Sequence, residues 1–589
     1  MDTNKIIRLL LISTSFSLVY FYILKPKSET QPTTCPVGSE KMVPLGLPSP
    51  SDFGMSLPFA AALQGQEKYI TVENELFKVF LSSKGGTIKR VVLKKYKDKD
   101  GKELALLDKQ SNMGLVFPYK DFLIETQALF FQTAANTLHT LKGTQQASIV
   151  FRLALSPSQY LEQCFEFSGN SYKIHYAWRA VGMEEYLNKA CNASFQWQMD
   201  MKSLEADSKA DMSKSTINYY LSDRTFGGLE ESSTKAQKKK LEAPIKWVSL
   251  TQRFFSSAII ADDIFATGDI SMEPILNKQD VTKAARLSLT LSAKEKEEGR
   301  SAFTFFFGPN DYKTLQKVTE GFEQNLPLGW AVFKWVNKGL IIPLFYFLEK
   351  YFSNYGLIIF LVVIIIKLLL APLSYKSFIS MAKMKVIKPE LDKIKEKYGN
   401  NLQKVQTEQL AFYRELGINP LSSCIPMLLQ IPILCAMFNF FPNAIALRQV
   451  PFLWAHDLST YDSIIRLPFT IPVYGSHVSL FTLLMVLATI FSNHSQSSAT
   501  EGPMKGLSYI MPLAFMFMLN SSPAGLSFYY FIQTVMTSLQ QKLIKYFVNQ
   551  EDIKEKLMAT QQKRAKQGEK PSFQSRVAAA IQANNKKKK

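Results

Sequence analysis

The chain has 589 residues, 47% of them hydrophobic, and a formal net charge of +20. Its length exceeds that of one ordinary domain, and its five cysteines are too few and too scattered for a disulfide framework or a zinc site. Apolar and basic residues in these proportions must occupy different parts of the chain. The composition therefore excludes a disulfide-stapled scaffold and favours a membrane protein with basic segments on one side of the bilayer.

An apolar run over residues 6–24 follows Lys5. It is longer than the core of a signal peptide, and no A-x-A cleavage site follows it. We therefore predict that residues 1–24 form an uncut transmembrane anchor. Residues 25–57 are rich in proline, serine and threonine, which is typical of a flexible linker.

Residues 58–325 have the pattern of one large all-β sandwich domain. KYITVENELFKVFLSS alternates apolar and polar residues, and SAFTFFFGPN is rich in aromatic side chains. No nucleophile elbow, metal-ligand spacing or phosphate-binding loop occurs here, so we predict neither enzymatic activity nor a cofactor. Cys164 and Cys191 pair if this domain is exported, or else remain two free buried thiols.

Residues 326–352 include GWAVFKWVNKGLIIPLFYFLEKYF, which mixes aromatic residues and lysines over an apolar body. This pattern predicts an amphipathic helix that lies in the plane of the membrane interface. A surface helix packed on the rest of the protein is the alternative interpretation.

Five further apolar runs predict transmembrane helices, which makes six with the anchor. These runs cover residues 355–373, 424–441, 478–491, 507–519 and 526–544. We assign residues 353–373 to the second transmembrane helix and residues 421–545 to the third through sixth. The predicted fold class is a polytopic α-helical membrane protein with a large all-β sandwich domain outside the membrane.

The distribution of basic residues predicts the orientation. The connection over residues 374–420 is rich in lysine, whereas the connection between the third and fourth helices carries only Arg448 and Arg466. The tail over residues 546–589 ends in NNKKKK. The positive-inside rule then places both termini and residues 374–420 in the cytoplasm, and the β domain on the opposite side.

Residues 374–420 also predict a helical hairpin, because apolar residues recur at spacings of three and four on either side of a YGNN turn. The positions on the two arms are Met384, Ile387, Leu391, Ile394, Tyr398, Leu402, Val405, Gln409, Phe412 and Leu416. The first arm is strongly basic, so the hairpin either contacts a polyanionic partner or is simply a solvated charged surface.

Lys367 lies inside the apolar run of the second helix, where a lysine costs about 2.5–3.5 kcal/mol on insertion scales. No predicted span contains an aspartate or glutamate that could neutralise it. Lys367 is about seven residues from the cytoplasmic end, roughly 10 Å of helix rise. Its ammonium group therefore either snorkels toward the cytoplasm or borders a water-filled groove.

The sixth helix favours the groove. Its polar side chains fall on one stripe, at positions Tyr530, Gln533, Thr534, Thr537 and Gln541. Gln430 adds an amide within the third helix. Hydrogen bonds between helices are the alternative explanation of such residues, and they suffice for Gln430 alone. A stripe together with an unpaired cation is better explained by a wet groove.

Four segments, APLSYKSFISMAKMK, INPLSSCIPMLLQIPI, PFLWAHDLS and SPAGLSFYYFIQ, make the chain resemble the YidC family of membrane protein insertases. The resemblance implies an inner-membrane protein whose β domain is periplasmic, and a positively charged groove open to the cytoplasm and to lipid. The groove arginine of the family corresponds to Lys367, which keeps the charge but loses the planar guanidinium. The aromatic pair that contacts substrate in the family corresponds to Tyr529 and Tyr530.

The hypothesis that follows is an insertase and chaperone for transmembrane segments, acting alone or with the SecYEG translocon. Its partners would be nascent membrane proteins, the phospholipid bilayer, and the ribosome through the basic tail and the hairpin. A secondary transporter would also use an intramembrane lysine, but neither inverted repeats nor a carboxylate relay is visible. A membrane-tethered periplasmic binding protein would explain the β domain but neither Lys367 nor the polar stripe.

Overall fold

The structure, a computed structural model, describes residues 59–119, 122–183, 193–275, 280–292, 295, 299–399, 401–416, 425–472, 474–496, 503–547, 553, 555 and 559. The predicted anchor and linker, and nearly all of the predicted tail, lie outside these residues. Cys191 does as well, whereas Cys164 is described as a free thiol whose sulfur lies 3.0 Å from Ser148 Oγ.

The β domain contains eighteen of the twenty described strands. They are β1 Tyr69–Glu73, β2 Phe77–Ser82, β3 Thr87–Lys97, β4 Glu103–Leu107, β5 Asn112–Tyr119, β6 Phe122–Glu125, β7 Leu138–Thr140, β8 Gln146–Ser156, β9 Gln159–Ser168, β10 Lys173–Val181, β11 Ser194–Lys202, β12 Thr216–Leu221, β13 Phe226–Gly228, β14 Gln237–Leu241, β15 Ile245–Thr251, β16 Phe255–Pro274, β17 Val281–Leu291 and β18 Arg300–Pro309. The remaining two, β19 Ile465–Ile471 and β20 Gly475–Val478, form a separate antiparallel hairpin.

The domain is built from two sheets that share one apolar core. The smaller sheet has the order β4-β3-β2-β1-β7, with β1 and β7 parallel. The larger sheet has thirteen strands along the path β6-β5-β11-β17-β16-β18-β10-β9-β8, with β12 to β15 attached beside β16. All described pairs of the larger sheet are antiparallel. The result is the sandwich-like arrangement that the sequence pattern predicts.

Alternation along the strands explains which side chains enter the core. In β8 and β11 every second residue is buried, as expected for strands with one apolar face. Trp197 of β11 packs edge-on against Phe305 of β18, which in turn packs against Phe303. Aromatic side chains of this kind each bury a large apolar area, about 150–250 Å².

The helices follow the β domain, apart from two short ones within it. They are α1 Ser208–Lys214, α2 Tyr312–Gln316, α3 Val332–Val336, α4 Ile342–Glu349, α5 Tyr355–Val386, α6 Lys388–Tyr398, α7 Leu402–Glu415, α8 Ile425–Phe440, α9 Leu480–Gln496, α10 Pro503–Leu519 and α11 Ala524–Phe547. Helices α5, α8, α9, α10 and α11 correspond to the five predicted transmembrane runs after the anchor. Their buried faces form a second apolar cluster that is distinct from the core of the β domain.

One of these helices, over Tyr355–Met384, is long and apolar enough to cross a membrane by length and composition alone. In the part of the chain that the structure describes, Leu480–His494 and Ile510–Leu519 are apolar helices of shorter length. The count of six crossings therefore stays a prediction.

The second transmembrane helix was predicted to end at residue 373, but α5 continues to Val386. The helix continues through Pro372, and about half of the residues that follow are strong helix formers (Leu, Lys, Met and Ala). The helix ends just before α6, whose first turn contains Pro389, a place where proline is tolerated. The predicted hairpin is therefore shorter than residues 374–420: its arms are α6 and α7, joined at Gly399, whose φ is +48°.

The segment over residues 326–352 forms one helical stretch in three pieces, with a π-helical turn at Asn337–Ile341 between α3 and α4. One face is buried against α8, where Asn337 Nδ2 donates to the carbonyl of Ala436 at 3.0 Å. The other face exposes Trp335 and Phe347. The segment thus combines a packed face with an exposed aromatic face. The packed face fits the alternative of a surface helix packed on the protein, and the exposed aromatic face fits the prediction of an interfacial helix.

Candidate substrate groove

Lys367 lies where α5 packs against α11. Its ammonium group donates a hydrogen bond of 2.6 Å to Thr537 Oγ1, and that hydroxyl donates to the carbonyl of Gln533 at 2.6 Å. The next residues of α5, Leu368 and Leu369, are exposed. The helix therefore turns Lys367 toward α11, and Leu368 and Leu369 outward.

Lys367 has no ion-pair partner within the described residues. A hydroxyl can orient an ammonium group but cannot neutralise it. An unneutralised cation at this depth is stable only if water reaches it or an anionic group visits it. The structure thus brings together the two features that the sequence indicated separately, the lysine and the polar stripe.

Gln533 lies one helical turn before Thr537 and is also turned inward. Its side chain is buried, and its amide oxygen has no hydrogen-bond partner among the described residues. A buried amide oxygen without a partner is costly, so this atom is an unused acceptor on α11, one helical turn from the threonine that binds the ammonium group. Thr534 is half-buried next to it.

The opposite side of α11 is apolar and exposed. Val535 is 39% and Leu539 46% exposed, and Leu543 continues the same row. Because residues four apart share a helix face, this row and the polar stripe lie on different sides of α11. The helix therefore has the amphipathic orientation that its sequence predicts.

Gln430 lies on α8 and is half-buried. It makes no described hydrogen bond to Lys367, Gln533 or Thr537. The predicted set of groove residues therefore separates into a hydrogen-bonded group on α5 and α11, and an outlying amide on α8.

Tyr529 and Tyr530 are both buried, with 2% and 7% of their surfaces exposed. Tyr530 donates a hydrogen bond of 3.1 Å to the carbonyl of Leu434 on α8, and its ring lies 5.2 Å from that of Phe438. Tyr529 packs 5.6 Å from Phe441. The pair is therefore buried between α11 and the C-terminal end of α8.

The segment PFLWAHDLS, residues 451–459, packs across the end of the helices that lies away from the α6–α7 hairpin. Phe452 fills the space above Gly356, where a Cβ atom would meet its ring at 2.2 Å, and packs 4.9 Å from Phe528. Trp454 stacks 4.3 Å from Phe481 and donates to Asp462. These contacts leave the polar part of the α5–α11 contact separated from this end by packed aromatic side chains.

Asp462 also holds the start of α9. Its Oδ2 accepts hydrogen bonds from the backbone N–H groups of Leu480 and Phe481 at 2.8 and 3.1 Å. A carboxylate at a helix N-terminus satisfies free N–H groups and complements the helix dipole. The sequence contained no pattern that predicts this role, because the aspartate and the helix are separated by the β19–β20 hairpin.

Comparison with known proteins places these features in a family. A model described as the YidC periplasmic domain matches residues 69–343, and one described as the 60Kd inner membrane protein matches residues 347–552. A protein of Amoebophilus asiaticus named membrane protein insertase YidC is 48% identical over 596 residues, which cover 99% of each chain. The chain belongs to the YidC family.

Another YidC insertase, from Cytophaga hutchinsonii, is 36% identical over 591 residues, 96% of this chain and 94% of the relative. A solved structure of an active YidC insertase with its first transmembrane domain resolved shares 18% identity and covers 82% of this chain and 94% of its own. Its TM-score of 0.33 is too low to support a structural argument. The family assignment therefore rests on the sequence relatives and the two domain models.

The domain that matches the YidC periplasmic model is joined to the helical region by a buried ion pair and by hydrogen bonds from arginines to backbone carbonyls. Arg448, in the loop between α8 and α9, binds Glu205 of the β domain through Nε at 2.8 and 3.0 Å. The two side chains are 2% and 3% exposed. Arg448 Nη2 also donates to the carbonyl of Lys97 at 2.7 Å. We call this set of contacts the joint.

Arg253 reinforces the joint from the β domain. Its guanidinium donates to the carbonyls of Pro442 and Ser459, at 2.9 and 2.7 Å, in the same loop. Burial raises the pKa of Glu205, against the opposing effect of Arg448. Burial also raises the pKa of nearby Asp211 to about 7. These two carboxyl groups and two guanidinium groups are held out of water together, which requires close packing of the loop on the domain.

Proposed function

We propose that this YidC-family chain inserts and folds transmembrane segments of nascent proteins through a hydrophilic groove between α5 and α11. The observation that supports the proposal best is the contact of Lys367 with Thr537, one helical turn from Gln533, whose buried amide oxygen has no partner among the described residues. A structural helix contact would not need a cation without a counter-charge. A groove that receives polar peptide groups would use both the donor and the acceptor.

The proposed role of the groove is to lower the free-energy barrier for moving a polar peptide segment across the hydrocarbon of the bilayer. A polar segment that crosses hydrocarbon loses its hydrogen bonds with water, at several kcal/mol for each unsatisfied group. A cation, a hydroxyl and an amide partway across the bilayer replace part of that hydration and attract acidic residues of the crossing segment. The apolar part of the substrate then moves into lipid, and its transfer from water supplies the driving force. No covalent step and no nucleotide are required, so we propose that the chain is not an enzyme.

The proposed topology has six transmembrane helices in the inner membrane, with both termini in the cytoplasm. It is supported by the lysines of α5 to α7 on one side and by the few charges of the loop between α8 and α9 on the other. The β domain, which packs on that loop, is then periplasmic. The aromatic packing around Phe452 lies at the periplasmic end of the groove.

We propose that substrate leaves the groove between α8 and α11, past Tyr530 and Thr534. A photo-crosslinking residue at position 530 or 534 should capture a stalled nascent transmembrane segment. Probes at positions 535 and 539, on the exposed row of the same helix, should capture it several-fold less and should capture lipid instead. The measurement is the yield of crosslinked nascent chain on gels, for stalled chains of increasing length.

The probe at position 534 is the control for misfolding. Replacing Thr534, which is only half-buried, should disturb the packing less than replacing Tyr530, which is packed against α8. Crosslinking of lipid alone at positions 530 and 534, at every chain length, would contradict the proposed exit.

The α6–α7 hairpin and the basic tail form the proposed ribosome contact. The SecYEG translocon is a second proposed partner, for larger substrates. Ile553, just beyond α11, is buried with Ile387 and Leu416 at the base of the α6–α7 hairpin. This contact brings the start of the tail to the basic hairpin. Together they would present a cationic surface suited to ribosomal RNA, whose binding should weaken steeply with salt.

Deleting residues 568–589 should therefore weaken co-sedimentation with ribosomes at low salt but leave insertion of released, full-length substrates intact. Glutamine at positions 586–589 should reproduce part of the loss, because it removes four charges and keeps the tail length. Ribosome binding that is equal for all three proteins across a salt series would exclude the tail from the contact.

A further inference from the structure

The loop between α8 and α9 has two halves with different surroundings. The first half, residues 441–459, is covered by the β domain through the joint. The second half forms the β19–β20 hairpin, which no element of the described structure covers. Ile465 is 55% and Phe469 60% exposed, and Ile464 is exposed as well.

The exposed apolar residues of the hairpin lie along β19 and just before it. Ile465, Leu467, Phe469 and Ile471 alternate in sequence with Arg466, Pro468 and Thr470. Neighbouring residues of a strand point to opposite sides, but the pairing of β19 with β20 is irregular between Arg466 and Ile471, so the alternation does not run unbroken along the strand. The surface of the hairpin nevertheless carries the exposed side chains of Ile464, Ile465 and Phe469, which we call its apolar face. Because a two-stranded hairpin is by itself at best marginally stable in water, burial of this face against a further surface would stabilise it.

The turn of the hairpin, which contains Tyr474, is fixed beside the exposed surface of the helices. Tyr474 packs 5.5 Å from Phe517, which is itself exposed near the end of α10. Asn520, just after α10, donates to the carbonyls of Tyr474 and His477 at 2.9 and 2.8 Å. The hairpin surface thus continues from a helix surface that faces lipid in any orientation that puts α10 in the membrane.

Charge identifies the partner that fits this face. Between positions 464 and 478 the chain contains no acidic residue, and its one permanent charge is Arg466. An apolar face with a flanking arginine suits the boundary between acyl chains and phosphate headgroups, where the ring of a phenylalanine is buried and a guanidinium meets phosphate.

We propose that the β19–β20 hairpin inserts its apolar face into the outer leaflet of the bilayer, with Phe469 as the deepest side chain and Arg466 directed to the headgroups. The inference rests on the proposed topology, which places this end of the helices at the periplasmic surface. It gives the membrane a second contact on the outer side, in addition to the exposed aromatic face of residues 326–352. The hairpin would hold the start of α9 at a constant depth in the bilayer while substrates enter and leave the groove.

The test uses the full chain in nanodiscs that contain one copy each. A nitroxide is attached to a non-natural keto residue at position 469 or 470, which leaves the native cysteines in place. The label at 469 should be accessible to oxygen and at least several-fold less accessible to a water-soluble nickel complex than the label at 470. These neighbouring positions lie on opposite faces of one strand, so they form a matched pair.

A label at position 539, on the exposed row of α11, separates this inference from the proposed topology. If 539 is in lipid but 469 and 470 are equally accessible to nickel, the hairpin lies in water and the inference is wrong. If 469 is protected from both oxygen and nickel, a protein surface covers the hairpin and the inference is also wrong. If 539 itself is accessible to nickel, the proposed topology fails first.

Discussion

Replacing Lys367 with glutamate should abolish insertion of a substrate whose translocated segment carries acidic residues, and Lys367→Arg should retain most of it. The groove needs a cation more than a particular donor geometry, and arginine keeps the charge. Lys367→Met keeps the length of the side chain and removes only the charge. We expect a loss of roughly tenfold or more for methionine, which corresponds to at least about 1.4 kcal/mol.

The measurement is insertion into liposomes that contain only the purified variant, with protease protection of the substrate as the readout. Each variant is assayed on two substrates that differ only in whether the translocated segment is acidic or neutral. The defect should be large for the acidic segment and small for the neutral one, since the attraction is electrostatic. Leu368→Met, at the exposed neighbouring position, is the control for altered packing in α5.

Thr537→Val tests whether the orientation of the Lys367 ammonium group matters in addition to its charge. It removes the hydroxyl that receives the 2.6 Å bond from Lys367 and keeps the shape of the side chain. We expect an intermediate defect that is again confined to acidic segments. Equal activity of the arginine, methionine and glutamate variants on the acidic substrate would favour snorkelling of Lys367 over the groove.

The sequence predicted those parts of the site that depend on local periodicity. The stripe on α11 could be predicted because helical spacing places Gln533 and Thr537 on one face and Val535 and Leu539 on another, whatever surrounds the helix. The lack of a carboxylate partner for Lys367 was likewise visible, because no predicted span contains an acid. In the structure Gln533 is buried whereas Val535 and Leu539 are exposed, as that spacing predicts.

Features that depend on distant packing could not be predicted in this way. The burial of Tyr529 and Tyr530 could not be predicted from α11 alone, because it depends on Phe438 of α8 and on Phe441, which follows α8. The extent of α5 beyond Pro372 depends on helix propensity after the apolar run ends, which hydropathy does not report. The number of crossings also stays a prediction, since the shorter helices do not qualify as spans on length alone.

The joint is the clearest case of a feature without a local signal. Glu205 and Arg448 are 243 residues apart in the chain, and neither belongs to a periodic pattern. Arg448 entered the sequence analysis only as one of two basic residues in a sparsely charged loop. That scarcity predicted the side of the membrane, but it gave no indication that the arginine would be buried against a carboxylate.

The second large effect is expected at this joint: Arg448→Met should loosen the β domain from the helical region. Removing one partner of a buried ion pair leaves the other charge without compensation, which typically costs about 3–5 kcal/mol. Glu205 would be left almost fully buried without its guanidinium. We expect faster hydrogen exchange in the loop over residues 441–459 and a lower unfolding temperature of the full chain in nanodiscs.

Two further variants make the result specific. In the double variant Glu205→Met with Arg448→Met, neither member of the pair is left charged, so most of the lost stability should return. Arg152→Met removes an arginine from a pair with Glu162 elsewhere in the β domain; the arginine side chain is 50% exposed, and the glutamate keeps its contact with Arg179 at 2.6 Å. Pairs exposed to solvent typically contribute about 1 kcal/mol or less, so this control should barely change the exchange rates. If Arg448→Met and Arg152→Met behave alike, or if the double variant is no more stable than Arg448→Met, the buried pair does not hold the joint, and the carbonyl contacts of Arg253 carry it instead.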